Sequence, residues 1–366
     1  MKILGIESSC DESAIALVET NAHNDFGAIL HQEIFSQFDA HREYGGVVPE
    51  IAARHHVEIL PKQIESTLRA AKIDLGQVDG FAATTGPGLI GGLMVASVLG
   101  KAMAMVHQKP FFAINHLEGH ALTARLVASD DAPVHFPYML LLVSGGHCQI
   151  IAVEGVGRYH LLATTLDDAV GEAFDKTAKL LGLGYPGGPA VEQAAKKAQN
   201  PNQFPLPRPM MGKPDPNFSF SGLKAAVRRA AITFSSDLQT SMTEMARCDL
   251  AASFQNAVCD IMVDRLAVSL KHYQTIIKQP PSQLVVAGGV AANQALRTVL
   301  TQFCADHQLR FTAPLPALCA DNAAMIAWAG LERLRLGGAG DSLDAKSLPR
   351  WPLSSLTPPI LNESMR

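Results

Sequence analysis

The feature that most constrains the fold is a plan that occurs twice. Residues Lys2 to Val18 read as strand, polar turn, strand: Ile3-Leu4-Gly5-Ile6, then Glu7 to Ser13, then Ala14-Ile15-Ala16-Leu17-Val18. Met139 to Val153 repeat this, with Ser144-Gly145-Gly146-His147 as the turn. A second unit also recurs. Phe81 to Thr85 run into Gly86-Pro87-Gly88 and a helix through Met103, and Leu284 to Ala287 run into Gly288-Gly289 and a helix from Ala291 to about Phe303. Two hairpins, each followed by a strand–glycine–helix unit, point to a duplicated α/β fold of two lobes with a cleft between them. Such units recur in unrelated α/β proteins, so the pattern alone leaves duplication and coincidence equally open. A length of 366 residues gives each lobe a full core.

Helices are expected from about Glu50 to Ala71, from Asp167 to Leu181 with Gly182 closing it, and from Asn322 to Leu336 ahead of Gly337-Gly338. Residues 200–217 are Pro-rich and loop-like, and the tail after Gly340 reads as loosely ordered. A composition 48% hydrophobic and 17% charged excludes disorder. The apolar run from Leu89 to Val106 is broken by Gly91, Gly92, Gly100 and Lys101, which suits a buried helix better than a membrane span. No basic-plus-apolar leader precedes the first strand, and six Cys form no CxxC pair, so a reducing cytoplasm is expected. Net charge is −4, so no chain-wide positive field draws nucleic acid. RNA binding would need a local basic patch or a helper protein.

Gly86-Pro87-Gly88-Leu89-Ile90-Gly91 matches GxGxxG, but no Asp or Glu lies between Phe81 and Leu117 to hold a ribose, and no Lys-Ser/Thr pair makes a Walker loop. Helix packing on the sheet is the favoured role for this turn. The Ser144-Gly145-Gly146 turn leaves backbone N–H groups free to cradle oxygens, or is an ordinary hairpin turn. Gly288-Gly289 with Asn293 offers a flat approach to a nucleoside, or a tight helix start. His116 and His120 are four residues apart on one helix face, where two imidazoles can grip a metal. Asn115 is a good N-cap, and Glu118 three residues later completes a capping-box pattern. The helix dipole there favours neutral imidazole. Glu118 lies about 200° around the helix from the first His, so no HExxH-type base is supplied. Asp321 is a candidate third ligand or an N-cap. Two His and a carboxylate suit Fe(II) or Zn(II). Asp175 and Lys179 are spaced for a surface ion pair, but Tyr185-Pro186-Gly187-Gly188-Pro189 beside them has the look of a site border. Ser219 to Lys224 with Arg228, Arg229, Arg208 and Lys213 form the best local track for RNA phosphates, or a solvated helix face.

The ordered set of motifs closely resembles the TsaD family of tRNA N6-adenosine threonylcarbamoyltransferases in its bacterial form. The set comprises Gly5 to Glu12, Tyr44-Gly45-Gly46-Val47-Val48-Pro49-Glu50, His116 with His120, Leu142 to His147, Phe174 to Lys179, Gly288 to Asn293 and Asp321-Asn322-Ala323. The resemblance implies the duplicated actin-like ATPase (ASKHA, ribonuclease H-like) fold: residues 1–133 with 322–345 as one lobe, 134–321 as the other, and 346–366 as a tail. It implies one metal ion, iron with zinc as the alternative, on His116, His120 and Asp321. It implies substrate contacts at Leu142, Val143, Ser144, Gly145, Gly146, Asp175, Gly188, Glu192 and Asn293. An ATP- or AMP-type nucleotide, with or without Mg, is expected in the cleft. The reaction implied is acyl transfer from threonylcarbamoyl-AMP to the adenosine beside the tRNA anticodon, releasing AMP. Asp11 or Glu12 would accept a proton or place a nucleotide-bound cation. Implied partners are tRNA, TsaB and TsaE, with no membrane, and the helices from Glu50 and Gly91 as surfaces for pairing, self-association included. The rival readings are a metal-dependent glycoprotein endopeptidase, a small-molecule kinase of the same fold class, and an idle scaffold.

Overall fold

A computed structural model describes residues 1–20, 26–44, 46–126, 133–237 and 242–359. Gly45 of the Tyr44–Glu50 motif and the last seven residues of the tail lie outside the described residues. The chain divides into one unit of residues 1–136, 154–159 and 314–366, and a second of 137–153 and 160–313. This division groups residues 314–321, with Asp321, into the first unit.

The first unit is built on strands β1 (Lys2–Glu7), β2 (Glu12–Glu19), β3 (Ala28–Ser36), β4 (Gly80–Gly86) and β5 (Phe111–Asn115), in the order β3-β2-β1-β4-β5. The hairpin pairs antiparallel, whereas β4 and β5 join parallel after helical crossovers. Alternation along β1 sends Leu4 and Ile6 to one face and Ile3 to the other. Helices α1 (Phe38–His41), α2 (Pro49–Ala71), α3 (Ile90–His107) and α4 (His116–Leu122) belong to this unit. Leu60 and Ile64 of α2 and Ala96 and Ala104 of α3 cover the Leu4 face. The opposite face carries a helix, Ala323–Arg335, which lays Gly330 against Ile3 and Phe112 and adds the fully buried Trp328 to the same apolar cluster.

The second unit has strands β6 (Tyr138–Val143), β7 (Cys148–Gly155), β8 (Arg158–Thr164), β9 (Gln283–Ala287) and β10 (Arg310–Thr312), ordered β10-β9-β6-β7-β8. Read from the other edge, this is the first sheet's order, with β6 in the place of β1 and β9 in that of β4. The antiparallel hairpin pairing and the parallel crossovers recur as well. Duplication, left open by sequence periodicity, is thereby established. Helices α5 (Val170–Leu181), α6 (Gly187–Ala195), α7 (Ser221–Asp237), α8 (Glu244–Ile277) and α9 (Gln294–Asp306) complete this unit, and α10 (Ala323–Arg335) is the helix on the first sheet.

Four expectations need correction. Helix α9 begins at Gln294, because Gly288 at φ +94° and a short 3-10 turn over Gly289–Ala292 precede it. The helix over Asp167–Leu181 begins at Val170, since Asp167 is engaged elsewhere. Helix α3 is buried along one face only: it is long and apolar enough to cross a membrane, but Leu93, Ala96, Gly100 and Ala104 face protein while Ile90, Met94, Val98, Met105 and Val106 are exposed. Residues 341–349, after Gly340, are fastened. Asp341 N–H donates to Phe111 O at 2.6 Å, Leu348 N–H to Thr85 O at 2.7 Å, and Gly88 N–H to Pro349 O at 3.2 Å. The strand ends present carbonyls that a passing segment satisfies, which composition does not reveal.

Candidate metal centre and the second-unit turns

Strand β5 ends at Asn115, whose Oδ1 accepts the Leu117 N–H at 2.9 Å and so starts α4. Its Nδ2 donates to Trp351 O at 3.0 Å, which fixes the cap from outside. One turn of helix then stacks His116 and His120 on the same face, ring centroids 4.8 Å apart and at 87°. Asp321 arrives from the start of α10. The cap of that helix is Asn322, which accepts from Met325 N–H at 2.9 Å, so the Asp321 carboxylate is left free. Its Oδ1 lies 3.0 Å from His120 Nε2 and 3.4 Å from His116 Nε2. The three ligand atoms all fall within 4.8 Å of one another. Ligands bonded at about 2.1 Å to one small ion stand roughly 3–3.5 Å apart, so this donor set fits a single divalent ion.

A carboxylate unassigned from sequence stands behind the cluster. Glu7, at the end of β1, places Oε2 3.2 Å from His116 Nδ1, with Ser9 Oγ also 3.2 Å away. Ser9 N–H donates to Glu7 Oε1 at 2.6 Å, and the Thr84 hydroxyl donates to Oε2. A proton on Nδ1 directed at Glu7 turns the Nε2 lone pair toward the ligand position. Glu7 sits inside the quoted Gly5–Glu12 motif, where a buried acid at a strand end is the readable signal.

Burial disfavours charge on His116, yet the Asp321 and Glu7 carboxylates outweigh it and raise its pKa well above the ordinary value. Against the same burial cost, His116 and His120 hold Asp321 well below the usual carboxylate range. In the cluster without its ion, these two carboxylates at contact distance act against the helix dipole, which favours the neutral ring. Burial, then Asp321 and Asp11, push Glu12 up to about 8. Asp11 lends its carbonyl to Gln37 N–H at 3.0 Å.

The expected capping box does not form. Glu118 is fully buried and committed sideways: Arg333 Nη2 donates to its Oε2 at 2.7 Å and Tyr159 Oη to its Oε1 at 2.9 Å. Burial opposes the Arg333 charge, but Glu118 and Asp341 raise its pKa overall. This pair locks α4 to α10, and with them the two His to Asp321.

In the second unit, Leu142 and Val143 end β6, and Gly145 and Gly146 stand exposed with no atom near where a Cβ would sit. Gly171 closes on this turn, its N–H donating to Ser144 O at 3.2 Å, and Gly288 lies against Val143 O. Asp175 does not pair with Lys179. It accepts from Gly187 N–H at 2.8 Å, with burial raising its pKa, while Gly188 next to it is open. Glu192 accepts from Gln294 N–H at 3.2 Å. Asn293 is a helix cap: its Oδ1 accepts from Leu296 N–H at 2.9 Å and its Nδ2 donates to Gln255 at 3.0 Å. These contacts gather the turns at the carboxyl ends of β6 and β9, where open parallel sheets take ligands. The supposed phosphate track divides. Arg208 pairs with Asp260 at 2.8 Å and Lys224 with Asp168 at 2.9 Å, leaving Arg228 and Arg229 free of ion pairs among the described residues.

Two sheets of one plan, with a His-His-carboxylate cluster at a strand-to-helix turn, define a duplicated α/β protein whose donor set fits a metal ion. The fold is shared with solved HypF proteins: full-length HypF in the phosphate- and nucleotide-bound form (TM-score 0.56, 13% identity, 93% of this chain and 47% of that one) and T. kodakarensis HypF (TM-score 0.53, 13% identity, 90% and 47%). A family model described as TsaD, tRNA N6-adenosine threonylcarbamoyltransferase, matches residues 28–328. Curated proteins of that name are 56% identical in Erythrobacter litoralis (98% of this chain, 97% of the relative) and 53% identical in Brucella anthropi (100% and 99%). The chain belongs to the TsaD family.

Proposed function

We propose that this protein transfers the threonylcarbamoyl group from threonylcarbamoyl-AMP to the N6 amine of the adenosine next to the anticodon in tRNA, releasing AMP. The match to curated transferases along nearly the full length of both chains carries this reading. The amine nitrogen attacks the carbamoyl carbonyl carbon, the bond from that carbon to the AMP phosphate oxygen breaks, and the nitrogen sheds a proton. An exocyclic adenine nitrogen is a poor nucleophile, so positioning and charge neutralisation dominate. His116, His120 and Asp321 would hold the ion, iron or zinc, which when bound supplies Lewis-acid neutralisation of phosphate charge. Glu7 sets the tautomer and aim of His116. The exposed Gly145 and Gly146, with Ser144, receive donor oxygens through the backbone of the turn, and Leu142, Val143, Asp175, Gly188, Glu192 and Asn293 shape the nucleotide side. Asp11 or Glu12 accepts the proton or places a cation on the nucleotide.

Glu118 is held by Arg333 and Tyr159 and is not available to activate water, which speaks against the endopeptidase reading. The cytoplasm is the proposed compartment, and TsaB and TsaE the proposed partners. The outer stripe Ile90, Met94 and Val98 of α3 beside α2 is the surface proposed for TsaB or a second copy.

The test is mass spectrometry of nucleosides from tRNA incubated with donor, purified chain and partners. Wild type yields threonylcarbamoyladenosine. His116→Ala yields at least a hundred-fold less, with metal content lost and thermal midpoint within a few degrees of wild type. No modified nucleoside from wild type would refute the reading.

A further inference from the structure

The face of α7 that escapes internal pairing meets α5 in a groove of about 520 Å³. From α7 it is lined by Lys224, Arg228, Arg229 and Ile232, and from α5 by Lys176 and Lys179. Among the described residues, no carboxylate lines it. Two of the cations are consumed behind the wall. Lys176 bonds Asp168 at 3.0 Å and Glu172 at 2.6 Å, and Lys224 bonds Asp168 at 2.9 Å. Lys179, Arg228 and Arg229 are exposed and have no ion-pair partner among the described residues.

We propose that this α5/α7 groove is a binding surface for the phosphate backbone of the tRNA substrate, with Lys179, Arg228 and Arg229 as its phosphate contacts. The proposal rests on the transferase reading and adds where the RNA lies on the second unit. Charge complementarity argues for it. The protein as a whole is net negative, yet among the described residues three unpaired cations share one wall with no acid in its lining. Geometry agrees. Arg228 and Arg229 follow Lys224 by four and five positions, about 6 and 7.5 Å along the axis, and adjacent α5 puts Lys179 across from them. Arginine forks suit phosphate oxygens. The wall itself is braced. Asp168 holds Lys176 of α5 and Lys224 of α7 at once, so the two helices present their free cations as one surface. Exposed Leu180 and Ile232 give the groove an apolar lining that accepts sugar or base faces.

The contacts are to backbone, so they change affinity and salt dependence and leave the chemical step alone. The experiment uses the full chain with its partners, unmodified tRNA and donor. Arg228→Glu/Arg229→Glu raises the KM for tRNA at least ten-fold with kcat within about two-fold, and leaves the KM for the donor unchanged. Arg228→Ala/Arg229→Ala lowers the magnitude of the salt slope of tRNA binding by about one to two. Arg228→Lys/Arg229→Lys restores most of the affinity, which a merely structural role would not require. If wild type modifies tRNA and the glutamate variant keeps its KM for tRNA and its salt slope, the groove proposal is overturned and the transferase reading stands. If wild type transfers nothing to tRNA, the transferase reading fails and the groove loses its assigned occupant with it.

Discussion

A single exposed carboxylate shows how side-chain chemistry sets where α7 begins. Asp167 accepts from Ser219 Oγ at 2.6 Å, Ser221 Oγ at 2.7 Å, and the N–H groups of Phe220 at 2.7 Å and Ser221 at 3.2 Å. Burial pushes its pKa up, but these four donors win and hold it below the ordinary value. A depressed carboxylate contributes stability above its unfolded pKa and loses that contribution as pH falls through the folded one. Asp167→Asn therefore costs about 1 kcal/mol at pH 7, a value kept small because the site is solvated. The gap between wild type and variant in urea unfolding narrows once pH drops below about 4. A gap that stays constant from pH 7 to pH 3 would show that the charge contributes nothing. Asp167 was readable only as a helix residue, since its partners stand 52 to 54 positions downstream. Glu7 was likewise present in a quoted motif but without a role, because its partner His116 is 109 residues away.

At the scale of elements, the metal centre depends on how closely α10 approaches β1. A Cβ on Gly5 would lie 2.5 Å from Ala323 O and 2.6 Å from Ala327 N, backbone atoms that cannot swing aside. Gly5→Val thus drives α10 off the sheet and carries Asp321, two residues before Ala323, away from the imidazoles. We expect a loss of about 1–3 kcal/mol, together with metal affinity lowered at least ten-fold by titration. Unchanged metal affinity in a folded Gly5→Val protein would show that the approach does not set the site. The periodicity of α2, α5 and α10, the Pro49 start of α2 and the Gly182 cap of α5 were legible because these signals are local, whereas the cap of α10 is Asn322 and not Asp321, the residue the sequence offered. The Glu118 capping box was misread for the opposite reason: a buried arginine two hundred residues on competes for the same carboxylate and wins. The start of α9 was misplaced because alanines at 291 and 292 favour helix, whereas the φ +94° of Gly288 and the cap at Asn293 decide otherwise.

Across the whole chain, one plan has been put to two uses. In the first copy the hairpin turn is packed shut. Leu89 N–H donates to Ser9 O at 2.7 Å, Ser8 Oγ donates to Gly92 O at 2.9 Å, and the turn supports His116 from behind. In the second copy the equivalent turn at Gly145 and Gly146 stands open. Strand order was recoverable from the repeated hairpins, but which turn is filled depends on Gly88 and Gly92 of a helix start some eighty residues later. The C-terminal segment completes the closed copy. It caps the ends of β4 and β5 through Leu348 and Asp341, and its Trp351 carbonyl holds Asn115, the residue that starts the histidine helix. A chain stopped after Gly340 forfeits at least eight hydrogen bonds to the rest of the unit, each of roughly 1 kcal/mol net, so the first unit should melt on the order of 20 °C lower. Freed of its anchor, Asn115 caps α4 less firmly, and bound metal per chain should fall with the melting point. Calorimetry and elemental analysis of the truncated protein measure both. A truncated chain that melts with wild type and retains its metal would show that the segment only lies on the surface and braces nothing.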